Sequence, residues 1–343
     1  MRLSLSLFIA LIWLILGIFY LYFFVEPYLL GASYLNVYGG DNFTYAGYSQ
    51  NTIADLILHP LEYRNVSGMA IFSKFTFFFG EYNVHVALVM NVIFLYISLK
   101  NFRYIIRKMG INNFNIFILL MLFNIYIVTF LCSVNKEIIG IMILSYGVKF
   151  IIKKNYFKYL SLIIFSFYIR DAFAFFLIIL VVMLMIKIPK VIYLLLISTA
   201  ISYATPERQI NILLEGQDEN SLGLLVLLSE IQSYFYGYAL VFIPKLLLNL
   251  FGSLSPLRIS DAMIYGNIIG SLTCLSAIIT SFLILMIVLN LSNIEAQKNR
   301  FIITILYAYF FIFCTPLFVN YRYLFPIYPF ICILFLSVYY KKS

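Results

Sequence analysis

Charge is what this chain has least of. Asp, Glu, Lys and Arg together make up 11% of its 343 residues, against roughly 25% in a soluble globular protein. Hydrophobic residues make up 64%, and a water-soluble fold of this length could not hide that much apolar surface. A soluble domain is thereby excluded, and a polytopic membrane protein is expected. Histidine is almost absent: His59 and His85 are the two in the chain. A metal site built on imidazoles is therefore not expected, and no cofactor is. The four cysteines, Cys132, Cys274, Cys314 and Cys332, lie far apart in apolar stretches. Without a Cys-x-x-Cys or Cys-x-x-His spacing they indicate neither zinc nor a disulfide framework, and they read as small buried hydrophobes. Also missing are a Walker loop, a dinucleotide fingerprint, a Gly-x-Ser-x-Gly elbow and a His-Glu-x-x-His helix. Cytosolic ATP or sugar-nucleotide chemistry therefore has no visible host.

What the chain does have is long apolar runs. A bilayer core of about 30 Å needs ~20 apolar residues in a helix. Runs near that size fall at 5–25, 83–99, 114–132, 137–152, 158–170, 172–186, 190–204, 266–291, 301–319 and 324–340. The first follows a lone Arg2 and has no small-residue cleavage site before Glu26, so it reads as an uncleaved span rather than a removed signal peptide. The net charge of +9 is spread thinly between these runs, which points to membrane topology rather than to nucleic acid. If Arg2 is cytoplasmic, the inner connections hold Lys100, Arg103, Arg107, Lys108, Lys149, Lys153, Lys154, Lys158, Lys187, Lys190, Lys298, Arg300, Lys341 and Lys342. With Arg2 that is 15 of the 23 basic residues, the bias of the positive-inside rule. Of the 14 acids, Glu295 alone falls on that side.

The expected fold is thus all-α and polytopic. It comprises about ten (10–12) transmembrane helices in a single integral membrane domain, 1–343, with both termini cytoplasmic. Two outer segments exceed simple connectors, 26–82 and 205–265. The stretch 222–251 is apolar enough for another span, but one extra crossing would put Lys298 and Arg300 outside. Glu230, Gln232, Pro244 and Lys245 interrupt it, so interfacial or re-entrant helices are expected there. Such backbone is tolerated at membrane depth where it packs on protein or lines a cavity, which implies an outward-opening cavity.

Polar groups at membrane depth are costly and therefore mark candidate sites. Gly39-Gly40-Asp41-Asn42-Phe43-Thr44-Tyr45 follows the first span; a carboxylate there is placed to act as general base on a hydroxyl, or simply to cap a loop helix. Asn135-Lys136-Glu137 makes a tight outer turn, which reads either as a site or as a solvated corner. Arg170-Asp171 lies between two short runs, and the planar fork of arginine suits a phosphate; the alternative is an arginine reaching for headgroups. Asn320-Tyr321-Arg322-Tyr323-Leu324-Phe325-Pro326-Ile327-Tyr328-Pro329 opens the last span, and Pro329 is expected to kink it. These tyrosines also fit an interfacial aromatic belt. Arg64, Arg208, Lys245 and Arg258 add outer cations, and the pooled set suits an anionic head group such as a lipid pyrophosphate.

The Gly-Gly-Asp-x-x-x-Tyr, Asn-Lys-Glu and Arg-Tyr-x-x-Pro-x-x-Pro patterns resemble those of multispan glycosyltransferases of the broad GT-C-like superfamily. In size, Phe/Ile/Tyr/Asn richness and two large outer segments, the chain most resembles bacterial O-antigen or repeat-unit polymerases of the Wzy type. The resemblance implies inverting glycan transfer from an undecaprenyl-pyrophosphate donor at the periplasmic face of the bacterial inner membrane. It implies Asp41 as catalytic carboxylate and Arg170, Arg322, Arg258, Arg208 and Lys136 as pyrophosphate ligands. Tyr45, Glu137, Asp171 and Tyr323 support them, and a chain-length regulator is an expected partner. Residues 1–343 read without the large soluble C-terminal domain of many GT-C enzymes, and without the clear Arg-x10-Gly repeat that some polymerases show in their two main outer loops. Two other functions stand beside polymerisation. One is transfer of a single sugar from a polyprenyl-phosphate donor; the other is flipping of repeat units, which usually goes with a longer chain of two similar halves.

Overall fold

The computed structural model describes residues 5–29, 40–59, 62–63, 65–76, 83–111, 113–186, 188–204, 223–254, 259–260, 268–290, 297–315 and 321–339. Regular structure among them is helical, without a β-strand. Helix α1 (Leu5–Tyr20) runs through a π-turn (Leu21–Val25) into α2 (Glu26–Leu29). Three short helices follow: α3 (Gly40–Tyr48), α4 (Ile53–Leu58) and α5 (Ser67–Thr76). Next come α6 (Val84–Lys108), α7 (Phe114–Phe123), α8 (Ile127–Leu131), α9 (Lys136–Ile152), α10 (Tyr156–Ile169), α11 (Asp171–Met185) and α12 (Lys190–Ala204). The last part holds α13 (Gly223–Ser233), α14 (Gly237–Phe251), α15 (Ile268–Leu289), α16 (Gln297–Phe313), a 3-10 run (Tyr321–Ile327) and α17 (Tyr328–Tyr339).

Five helices among the described residues are long and apolar enough to cross a membrane: Leu5–Val25, Val84–Lys108, Gly237–Leu254, Ile269–Leu289 and Tyr321–Tyr339. Outward-facing side chains such as Phe8 and Ile15 on α1, Phe23 in the π-turn, and Ile278, Phe282 and Leu285 on α15, stand exposed. Apolar surface on that scale belongs against lipid rather than water.

Two of the described helices are enclosed along most of their length. On α9 the buried set includes Ile138, Ile139, Ile141, Ile143, Leu144 and Val148, covering more than one face, as expected of a helix enclosed by others. Gly140 and Gly147 on it let α11 come close. A methyl at Gly140 would stand 2.3 Å from Cζ of Phe173, and one at Gly147 would stand 2.5 Å from Leu177. Small residues at such spacing are how membrane helices gain contact without a hydrophobic driving force. Buried likewise, α17 packs against α7, α15 and α16.

Three departures from the expected runs have local causes. The run 114–132 is broken at Asn124, Ile125 and Tyr126 between α7 and α8. Buried Asn124 accepts from the Ser276 hydroxyl at 2.5 Å, so a polar partner on α15 holds the break. The last run begins as 3-10 helix, and α17 starts at Tyr328, so Pro329 occupies its first turn. A missing N–H costs nothing there, and the expected kink is replaced by a change of helix type. Finally, Pro244 and Lys245 do not interrupt α14. Lys245 is wholly buried, but its ammonium bonds Oε1 of Gln232 and lies 3.5 Å from the Thr315 carbonyl. Tyr236 adopts a left-handed φ of 58° at the reversal from α13 to α14. The next residue must be glycine, since a methyl at Gly237 would fall 1.7 Å from the Ile231 carbonyl oxygen.

Candidate functional site

The start of α9 is fixed before any charge is considered. Asn135 caps the helix: its Oδ1 accepts from the Glu137 amide at 3.1 Å, and its Nδ2 donates to Ser133 and, at 3.3 Å, to the Phe130 carbonyl. From α6, Asn91 donates to the carbonyls of Phe130, Leu131 and Ser133 at 3.2, 3.0 and 2.9 Å. Those carbonyls lie at the end of α8 and just beyond it, where no following turn supplies amides, so a buried amide side chain makes the bonds that a continuing helix would have made. Glu137, in the first turn of α9, is thereby set in a rigid and nearly waterless place, 2% exposed.

Arg322 comes to it from the 3-10 run. Its Nε donates to Oε1 of Glu137 and its Nη2 to Oε2 at 3.2 Å, the two-pronged geometry that favours arginine over lysine. Next to it along the chain, Tyr323 lies under a second arginine. The Arg170 guanidinium sits 4.7 Å from the Tyr323 ring centre and 5.2 Å from that of Phe313. Tyr309 locks this arrangement, stacking on Phe313 and donating to the Tyr323 carbonyl at 2.6 Å.

Arg170 ends α10, and Asp171 opens α11. The Asp171 amide donates to Oδ1 of Asn65 at 2.8 Å, and the Asp171 carboxylate accepts from the Ala172 amide at 2.8 Å. The segment that carries α3, α4 and α5 is thus docked on the Arg170 corner. Ser67 reaches the Tyr168 carbonyl, and Tyr168 reaches that of Ile57, both at 3.3 Å. Within the segment, Lys74 ties Ser49 and Asn51 by their carbonyls. Lys136 completes the group, its ammonium 5.4 Å from the Tyr45 ring centre on α3.

Residues 45, 136–137, 170–171 and 322–323 are far apart in the chain yet meet at one end of the bundle. Glu137 is buried at the start of α9 rather than set in a solvated corner, and half-buried Arg170 lies over two rings. Asp41 is the second residue of α3, four residues before Tyr45. Arg208, Arg258 and Arg64 lie outside the described residues. Asn65, Asn91 and Tyr309 are site residues that the sequence patterns do not single out. An Asn within the apolar run 84–108 was the available signal for Asn91; the others become visible only when helices pack.

Beside this group lies an apolar cavity of about 400 Å³ lined by residues including Ile57, Phe72, Phe94, Ile139, Phe165 and Ile169. Ile139 is two residues beyond Glu137, and Ile169 immediately precedes Arg170, so cations and cavity share two helices. Among the described residues no three His, Cys, Asp or Glu side chains gather as metal ligands would. The site offers fixed cations, one buried carboxylate, aromatic faces and an adjoining apolar space. The chain matches no protein-family model, no curated protein and no solved structure.

Proposed function

We propose that this chain is a bacterial inner-membrane glycosyltransferase that polymerises repeat units carried on undecaprenyl pyrophosphate, working at the periplasmic face. The observation that supports it is the convergence of Lys136, Glu137, Arg170, Arg322 and Tyr323 beside an apolar cavity. An amphiphile with an anionic head and an isoprenoid tail is complementary to both halves.

On this reading Arg170 and Lys136 face the pyrophosphate, while the Glu137–Arg322 pair keeps the 3-10 run in register so that Tyr323 supports Arg170. The acceptor hydroxyl gives its proton to the Asp41 carboxylate. A new bond forms from that oxygen to the anomeric carbon, the old bond to the pyrophosphate oxygen breaks, and lipid pyrophosphate leaves with the electron pair. General-base assistance of this kind contributes ~10²–10⁴-fold in rate. About ten crossings, with both termini cytoplasmic, belong to the same proposal.

The test is turnover of lipid-linked repeat units by reconstituted protein. Asp41→Asn keeps the shape and removes the base, so the rate should fall by about 10²–10⁴-fold with donor binding kept. Arg170→Lys keeps the charge but loses the fork and the flat face over Tyr323; polymer should shorten at unchanged protein level. Parental turnover in Asp41→Asn removes that residue from the mechanism. In a deletion strain, accumulation of single-repeat lipid-linked product marks a polymerase. Loss of one sugar would mark a single-sugar transferase instead, and loss of outward-facing repeat units would mark a flippase.

A further inference from the structure

The opposite end of the bundle, where α6 and α9 stop and α10 begins, carries a second cationic group. Lys149 in the last turn of α9 donates to Oδ1 of Asn101 on α6 at 2.6 Å, and Asn101 donates to Ser145 at 3.1 Å. Asn101 is 1% exposed, so a buried amide holds the half-buried Lys149 ammonium at the seam between two packed helices. Lys153 and Lys158 stand near enough for their charges to repel that of Lys149. Lys153 also lies 5.0 Å from the Tyr104 ring centre, and Arg103 lies 5.7 Å from that of Phe114. The acids among the described residues belong to the other end or to the segments docked there, so nothing described here balances this charge.

The turn holding the lysines is built, not frayed. Lys154 takes a left-handed φ of 54°, and Asn155 caps α10 by accepting from the Lys158 amide at 3.2 Å. The positive end of α10 adds to the field. From this turn an exposed apolar stripe, Phe157, Leu160 and Ile164, runs along α10; residues three and four apart share a helix face. Phe157 is 81% exposed.

We infer that Lys149, Lys153 and Lys158 bind the phosphodiester of an anionic glycerophospholipid whose acyl chains lie along Phe157, Leu160 and Ile164. The stripe commits the site to a lipid: a soluble anion would have no use for an apolar track leading away from the charge. The inference rests on the chain being membrane-embedded and is independent of the glycosyltransferase reading.

Full-length protein is equilibrated in mixed micelles of phosphatidylglycerol and phosphatidylcholine, and the retained lipid is counted by native mass spectrometry. Wild type should keep phosphatidylglycerol in preference. Basic residues near a membrane surface contribute ~1 kcal/mol each, so Lys149→Gln with Lys153→Gln should lower that preference about 30-fold. The charge-matched pair Lys190→Gln with Arg300→Gln, elsewhere at the same end, should not. Equal losses in both pairs would reduce the effect to diffuse attraction and overturn the site. So would equal retention of the two lipids by wild type, a measurement that needs no variant. Release of phosphatidylglycerol by millimolar inorganic phosphate alone would make it a soluble-anion site and overturn the lipid assignment.

Discussion

At the end of the bundle where α9 begins, Arg322 grips a buried carboxylate and Arg170 lies over two rings. At the end where α9 stops, Lys149 has an amide for a partner, and Lys100, Lys153 and Lys190 have tyrosine faces. The first arrangement fixes each cation in one geometry. In the second, Lys100 and Lys153 are exposed and Lys149 and Lys190 half-buried, on flexible stems that can still adjust to a ligand. Burial makes the difference: an ion pair removed from water is costly to break, whereas an exposed cation beside a ring gains little and loses little. The end with fixed geometry is where bond-making chemistry is to be sought, and the other end is where lysines on adjustable stems can hold an anionic headgroup.

The comparison breaks outright if the two ends face the same compartment. Reporters fused at residues 108, 154 and 296 should read cytoplasm, and those at 50, 135 and 215 should read periplasm. The basis is that an inner placement of Arg2 would put 15 basic residues on the inner side against 8 on the outer, with 13 of the 14 acids opposite. A cytoplasmic signal at 215 would remove the second large outer segment.

The next largest effect belongs to the buried pair. Arg322→Met leaves Glu137, 2% exposed, without its fork, and removing one partner of a buried pair costs ~3–5 kcal/mol. Because Arg322 is 27% exposed, the lower figure, about 3 kcal/mol, is expected in detergent unfolding. Adding Glu137→Leu should recover most of that loss, since apolar replacements for both members of a buried pair are often neutral. Recovery of stability without recovery of turnover would separate the structural role of the pair from its role in the site. If Arg322→Met unfolds no more readily than wild type, the contrast between the ends is lost.

The helical class and the places of most runs were legible because apolar length is a one-dimensional signal. Runs near 5–25, 83–99 and 266–291 reappear as α1, α6 and α15. Broken elements were not legible. Nothing in the run 114–132 says that Asn124 will find Ser276 on α15, a helix some 150 residues later. In the same way Lys245 read as an interruption because its partners Gln232 and Thr315 are brought to it by packing. For the site, sequence reasoning named Lys136, Glu137, Arg170, Arg322 and Tyr323 separately. That Arg322 would spend its fork on Glu137, and Arg170 its face on Tyr323, is decided by the 3-10 turn. Pro326 and the tyrosines there hinted at an irregular entry but not at its direction.

The smallest expected effect is at the other end, and it sharpens the comparison most. Lys100 lies 4.2 Å from the Tyr96 ring centre, one turn earlier on α6, and is exposed. Lys100→Met keeps an unbranched apolar stem over the ring and removes only the charge. What is lost is an exposed cation–π contact, about 0.5–1 kcal/mol. Part of that returns as sulfur–aromatic contact, about 0.3–1.5 kcal/mol, so the unfolding midpoint should barely move. Arg322→Met makes the same kind of change, cation to thioether, at a place where a carboxylate is left behind without water. The two substitutions differ in what surrounds the lost charge rather than in what is lost. Equal destabilisation in matched detergent would mean that burial of Glu137 carries no energetic weight, and that the Arg322 end is no more fixed than the other.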